Sequence, residues 1–201
     1  MELFNDPASY RKWYEIHYKI YESEKKAIKA LGLVNCLDIG SGPGIFKDVL
    51  GEDSILLDIS EFVLKEAKGE RVQADAHYMP FRDNGIKCAF ISVTLCFLEN
   101  LEKFIIELYR ITKQYIGICI IPRDSQWGKF YEELGKKGHK YYSRARFISK
   151  DELFKLLSNY FKVEKIISTL FYSPFEEERI EEPRESSDGS YLCIKASKIT
   201  H

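Results

Sequence analysis

Cys36-Leu37-Asp38-Ile39-Gly40-Ser41-Gly42-Pro43-Gly44 runs an apolar segment directly into a turn holding three glycines. A compact apolar strand over 33–39 and a helix over 45–50 flank that turn. Strand, glycine turn and helix together form a device for holding a nucleotide. The missing side chains let backbone approach the ligand, and the helix start presents amide donors without partners. Dinucleotide-binding proteins space the glycines as G-x-G-x-x-G. Here the third glycine, Gly44, comes one residue early. Asp38 also fills a strand position that those proteins give to an apolar residue. A carboxylate at the end of a buried strand is costly without a partner. A cationic amine on the ligand would supply one, whereas a pyrophosphate would be repelled.

Working outward, strands and helices alternate. A strand over 54–58 ends in Asp58, where an acid can take ribose hydroxyls, and a helix follows over 61–67. A short strand over 71–74 leads into Gln73-Ala74-Asp75-Ala76 and then Met79-Pro80-Phe81. This places an acid within reach of an adenine amino group. A nearly continuous apolar strand over 87–93, a helix over 101–112, a strand over 115–121 and a helix over 150–159 capped by Ser149 come next. Strands over 161–170 and 190–196 close the chain without a helix between them. Continuous apolar strands separated by helices imply a parallel sheet covered on both faces. The fold class expected is therefore α/β: a Rossmann-like, doubly wound, mostly parallel seven-stranded sheet with an antiparallel edge.

Before this core, Asp6-Pro7 reads as a helix start. Tyr10, Trp13, Tyr14, His17, Tyr18 and Tyr21 recur at helical spacing on one face, and Gly32 is the expected stop. Two segments break the alternation: an aromatic, basic insert over 122–147 and an acidic excursion over 175–188. A single domain is expected, divided into a helical cover (1–32), a cofactor-binding core (33–121), a substrate insert (122–148) and a C-terminal helix with antiparallel strands (149–201).

The 201 residues are 45% hydrophobic and 30% charged with a net charge of −1, which carries no overall signature of a nucleic-acid or membrane partner. No targeting segment is visible and no apolar run is long enough to span a bilayer, so a cytoplasmic location is expected. Five cysteines, an odd number without a C-x-x-C pair, suggest neither a disulfide framework nor a zinc site. Cys36, Cys88, Cys119 and Cys193 read as small buried hydrophobes. Cys96, after a strand, lacks a recognisable partner for nucleophilic chemistry.

As an ordered set, Cys36 to Gly44, Leu57-Asp58-Ile59-Ser60, and Ala74-Asp75-Ala76 through Pro80-Phe81 resemble the first three motifs of class I S-adenosylmethionine-dependent methyltransferases. The type 11 small-molecule subgroup is the nearest match. Arg82-Asp83-Asn84-Gly85-Ile86-Lys87-Cys88-Ala89-Phe90 is similar to that subgroup's approach to strand four, with Ile86-Lys87 replacing its usual Phe-Asp. The resemblance implies that Asp38, Gly40, Ser41, Gly42 and Gly44 hold the methionine portion of S-adenosylmethionine. It implies that Asp58 holds the ribose with Ile59 against the adenine, and that Asp75 and Ala76 read the adenine edge. Thr94 and Leu95, with Cys96, would line the sulfonium side, and Tyr10, Trp13 and Tyr14 would close over the cofactor. After strand four there is no D/N-P-P-Y/F run, and no acidic cluster suggests a metal.

Methyl transfer needs in-line positioning and control of the nucleophile's protonation more than covalent help. His77, His139 and Tyr142 are the candidates for a base. The insert is the expected acceptor site because ligands bind beyond the carboxyl ends of strands. Trp127, Tyr131, Tyr141, Tyr142 and Arg146 would bind the acceptor, favouring an aromatic or anionic small molecule. An RNA acceptor, a non-catalytic cofactor-binding module and an NAD-dependent oxidoreductase are the alternatives; the early Gly44 and Asp38 count against the last.

Overall fold

A computed structural model describes residues 6–200. Its core is a seven-stranded sheet in the order β3-β2-β1-β4-β5-β7-β6. The strands are β1 (Leu37–Ile39), β2 (Ile55–Asp58), β3 (Arg71–Gln73), β4 (Ile86–Ser92), β5 (Thr112–Ile120), β6 (Phe161–Thr169) and β7 (Tyr191–Lys198). The first five pair in parallel, and β7 runs antiparallel to both β5 and β6. The expected antiparallel pair is therefore at the edge, with β7 slotted one place inward. Strand order reverses at β1 and β4, opening a crevice at their carboxyl ends.

Alternation along β4 feeds two apolar layers. Ala89 and Ile91 face the layer completed by Phe104, Ile105, Leu108 and Ile111 of helix α5 (Leu101–Ile111), and by Leu153 and Leu157 of α7 (Lys150–Leu157). Cys88 and Phe90 face the opposite layer, with Ile20, Ala27 and Ile28 of α2 (Tyr18–Ala30) and Trp127 and Tyr131 of α6 (Gln126–Lys136). Both faces of the strand are buried, which is why it reads as a continuous apolar run. Local signals set the helix starts. The Asn100 side chain accepts from the Lys103 amide at 2.9 Å, and Ser149 and Glu152 form a reciprocal capping box.

Several boundaries differ from the sequence reading. The single N-terminal helix is two, α1 (Pro7–Ile16) and α2, broken at His17, whose ring bonds to Glu178 of the acidic excursion. The helix expected from residue 45 begins only at α3 (Lys47–Leu50), because the turn continues through Phe46. The short α4 (Glu61–Leu64) follows β2. The insert, read only as an aromatic, basic break in the alternation, holds α6. The Ser125 side chain caps it by accepting from Gly128, where an added Cβ would sit 2.0 Å from the Pro122 carbonyl.

The cysteine reading is corrected outright. Cys36 pairs with Cys88 and Cys119 with Cys193 as disulfides, leaving Cys96 as the free thiol among the described residues. Cys119 and Cys193 sit directly opposite on β5 and β7, and Cys36 precedes β1 beside Cys88 of β4. Separations of 52 and 74 residues hide these pairs from the sequence, and strand register creates them. No helix among the described residues is long and apolar enough to cross a membrane.

Candidate cofactor and acceptor site

The glycine turn leaves β1 through backbone that L-residues disfavour. Gly40, Gly42 and Gly44 have φ of +69°, +54° and +78°. The Gly40 and Ser41 amides donate to the Leu57 carbonyl of β2 at 2.7 and 3.0 Å, folding the turn over the neighbouring strand. A Cβ on Gly40 would meet Thr94 at 2.4 Å, and one on Gly44 would meet Leu56 at 2.8 Å. Glycine is thus required twice, for its backbone angle and for close approach.

Asp38 and Asp58 meet across this turn. Asp38 is only 3% exposed and has no hydrogen-bond or ion-pair partner among the described residues. Burial, with Asp58 beside it, pushes its pKa up to about 8. Such an acid fits a cationic group on a ligand, as the amino group of a methionine moiety would provide. Asp58 accepts from the Gly42 amide through Oδ2 and from the Ser60 amide through Oδ1, both at 2.9 Å. Burial raises its pKa and these donors oppose the rise. Its carboxylate couples the turn to the end of β2 and retains lone pairs for hydroxyl donors.

Beyond β3, Asp75 Oδ1 accepts from the backbone amide and ring Nδ1 of His77, at 2.8 and 2.7 Å. Partial burial acts to raise its pKa, but the His77 donors outweigh it and hold Asp75 below the usual carboxylate range. The other His77 nitrogen accepts from the Asn100 amide at 3.4 Å. Both ring nitrogens of His77 are thus engaged. Ile59 is 39% exposed, and Ala76 is buried. A support that sequence reasoning missed lies on α5. Glu107 accepts from the Met79 amide, and Arg110 donates to the Met79 and Phe81 carbonyls, fixing the loop that carries Asp75. On the sequence this pair shows only as charges at helical i,i+3 spacing.

Thr94 Oγ1 donates to the Ser92 and Gly40 carbonyls at 3.0 and 3.4 Å, joining the end of β4 to the glycine turn. Leu95 is buried beside it. Burial pushes the Cys96 thiol up to about 12, which leaves it protonated near neutrality. From the N-terminal side, Tyr14 and Tyr21 pack edge-on against each other, and both rings contact Phe46 at the end of the turn. The Tyr21 hydroxyl donates to the Ile45 carbonyl. Tyr21 was visible in the aromatic stripe but not as this anchor. The Tyr10 side chain lies outside the described residues.

The expected acceptor residues separate into two groups. Trp127 and Tyr131 are buried, and the indole N–H of Trp127 donates to the Tyr172 carbonyl at 2.9 Å. Tyr142 stacks on Tyr131 with centroids 4.3 Å apart, and on its other neighbour His139 at 4.4 Å. Tyr141 is half-buried and Arg146 is exposed, although the Arg146 amide donates to the Cys96 carbonyl at 2.7 Å. A groove of about 430 Å³ beside them is lined by Leu95, Leu98, Asn100, Arg123, Arg146 and Phe147. A pocket of about 10 Å³ touching Val93, Cys96 and Ile121 shares Leu95, Phe147 and Ile148 with it. No group of three potential metal ligands occurs among the described residues.

A family model described as a methyltransferase domain matches residues 37–121. An uncharacterized protein of Methanocaldococcus jannaschii is 33% identical, covering 99% of this chain and all of its own length. A crystal structure from Thermotoga maritima, described as a SAM-dependent methyltransferase and possible histamine N-methyltransferase, is 30% identical. It superposes with a TM-score of 0.89 over 98% of this chain and 99% of its own. The geranyl diphosphate C-methyltransferase of Streptomyces coelicolor, solved with S-adenosyl-L-homocysteine, shares the fold at 13% identity. Its TM-score is 0.60 over 88% of this chain and 77% of its own. With its glycine turn, its ordered acids and these relatives, the chain belongs to the class I S-adenosylmethionine-dependent methyltransferases, in the type 11 family.

Proposed function

We propose that this enzyme methylates a small, largely aromatic molecule held between the carboxyl ends of β4 and β5 and the insert 122–148. The observation that carries this reading is the stack of Tyr142 and Phe147 on Tyr131, whose Phe147 reaches the pocket that Leu95 and Cys96 line directly after β4. The Thermotoga relative's description names an acceptor of that size and aromatic character. The anionic half of the sequence expectation rests on Arg146, exposed at the groove's rim, and Arg123 is already paired with Glu152. The aromatic half rests on enclosed rings, and it is the half we retain.

In this reading Asp38, Gly40, Ser41, Gly42 and Gly44 hold the methionine portion, and Asp58 the ribose. Ile59, Asp75 and Ala76 take the adenine, and Thr94 and Leu95 face the sulfur. The N-terminal helices form the cover, and the whole chain works as one domain. S-adenosylmethionine, when bound, supplies an electrophilic methyl group on a sulfonium whose departure leaves a neutral thioether. The protein's share is to fix the acceptor in line and exclude water. A methyl-labelled donor offered with a panel of small aromatic acceptors and with transfer RNA tests this. Label transferred only to RNA would refute it.

A further inference from the structure

Glu24 plays no part in the cofactor site, yet it occupies an expensive position. It lies on the inward face of α2 among Ile20, Ser23, Ala27 and Ile28, where an apolar residue would pack best. It is 4% exposed, and its Oε2 is enclosed without a hydrogen-bond partner. No other carboxylate among the described residues has an oxygen in that state. Burial is the single cause acting on its pKa, which rises to about 8, so no neighbouring donor or cation compensates it. Its α2 neighbours Ile20, Ala27 and Ile28 share their apolar layer with Trp127, Tyr131 and Phe147, and Tyr142 and Cys96 pack at the border of that layer. Burial raises the pKa of both phenols, and the Glu24 charge adds to the rise in each. The acid therefore lies within electrostatic reach of the stacked Tyr131 and Tyr142 of the proposed acceptor site, and Cys96 acts on Tyr142 too.

We infer that Glu24 is the acceptor-binding group of this enzyme, and that the acceptor it selects carries a basic amine. An uncompensated buried carboxylate in a layer rich in aromatic rings is a receptor for an ammonium group: the carboxylate supplies the counter-charge, and a neighbouring ring face would add cation–π attraction. An anionic acceptor would be repelled, and a neutral one would leave the acid unpaired. This inference rests on the small-molecule reading above and gives it a chemical class. The proton balance is direct. The bound ammonium gives one proton to Glu24, its N–H bond breaking as an O–H bond forms, and keeps the lone pair. That pair then bonds to the methyl carbon as the carbon–sulfur bond breaks, with the sulfur retaining its electrons. The methylated amine leaves as a cation, and the proton on Glu24 passes to solvent.

The test uses the full chain loaded with S-adenosylhomocysteine and titrated with 2-phenylethylamine, imidazolylethylamine, 2-phenylethanol and phenylacetate. The two amines are expected to bind and the alcohol and acid to bind at least tenfold more weakly. Glu24→Gln should weaken amine binding about 10- to 100-fold, the loss of one charge-assisted contact. It should leave S-adenosylhomocysteine affinity within twofold and leave the urea midpoint of the ligand-free protein unchanged or raised. A structural Glu24 would instead lower that midpoint while sparing any preference for amines. Equal amine binding by Glu24→Gln and wild type, or a lowered midpoint with amine binding intact, overturns the inference. Label from the methyl donor entering only neutral or anionic small molecules overturns it while the small-molecule reading stands. Label entering only RNA, or no amine binding at all, removes the inference, and the RNA result removes that reading with it.

Discussion

Substituting Gly40 by alanine places a methyl group where two penalties coincide, and the structure contains the control that separates them. Gly32 has nearly the same backbone angle, +68° against +69°, but a Cβ there meets nothing within 4 Å. Gly32→Ala therefore reports the left-handed backbone term alone, about 1–2 kcal/mol, less about 0.4–1 kcal/mol regained from a stiffer unfolded chain. At Gly40 the same Cβ falls 2.4 Å from Thr94 Cγ2, 2.5 Å from its Oγ1 and 2.9 Å from its Cβ. Relieving that overlap requires the end of β4 to shift, and overpacking of this kind costs about 1–3 kcal/mol more. Urea unfolding followed by tryptophan fluorescence measures both variants in the ligand-free protein. Gly40→Ala should be the less stable by about 1–3 kcal/mol, and Thr94→Gly in the same chain should recover most of that difference as a coupling energy in a double-mutant cycle. The same shift should weaken S-adenosylhomocysteine binding in Gly40→Ala and leave it intact in Gly32→Ala. If Gly40→Ala costs no more than Gly32→Ala, or if Thr94→Gly shows no coupling, the turn does not rest on β4 as described.

Asp58→Ala should weaken S-adenosylhomocysteine binding at least 100-fold by calorimetry, the loss of roughly two charge-assisted bonds at about 1.5–3 kcal/mol each; unchanged affinity would remove Asp58 from ribose binding. Asp38 and Glu24 both have pKa values raised to about 8 in the folded, ligand-free protein. The folded state thus binds more protons than the unfolded one between the ordinary carboxylate range and about pH 8, and stability falls as pH rises through that window. Asp38→Asn should therefore resist more urea than wild type at pH 8 while binding S-adenosylhomocysteine more weakly, and stability that rises from pH 6 to pH 8 in wild type would contradict the sign. Titration of thiols in denaturant without reductant should count one, Cys96, and five after reduction, since the other four are paired; a count of five before reduction would refute the pairing.

The residues proposed to hold the cofactor could be named from the sequence because each is local to its own strand end. A glycine turn, the acid before it and the acids ending the next two strands each mark their own strand end, and a parallel sheet brings consecutive strand ends to one edge. Tyr142 and Tyr131, eleven residues apart, were recognised as belonging together, but their stacking and their burial against Phe147 depend on α6, which the composition of the insert did not reveal. The Glu107 and Arg110 support of the loop that carries Asp75 and the Tyr21 bond to Ile45 were invisible for a related reason. Each joins a helix surface to a backbone group of a distant segment, and backbone groups leave no mark in a residue pattern.

The sequence by itself determined the fold class, the cofactor and the order of the residues expected to hold it, since periodicity, glycine placement and strand-end acids are properties of short segments. Tertiary structure alone decided which long-range neighbours meet. Strand register set Cys36 beside Cys88 and Cys119 opposite Cys193, turning four apparent hydrophobes into two crosslinks. Packing of the inward face of α2 enclosed Glu24 without a partner, although on the sequence it is one of two glutamates in a charged helix. Burial, and with it the cost of an unpaired charge, is a property of the assembled layers and is written in no single segment.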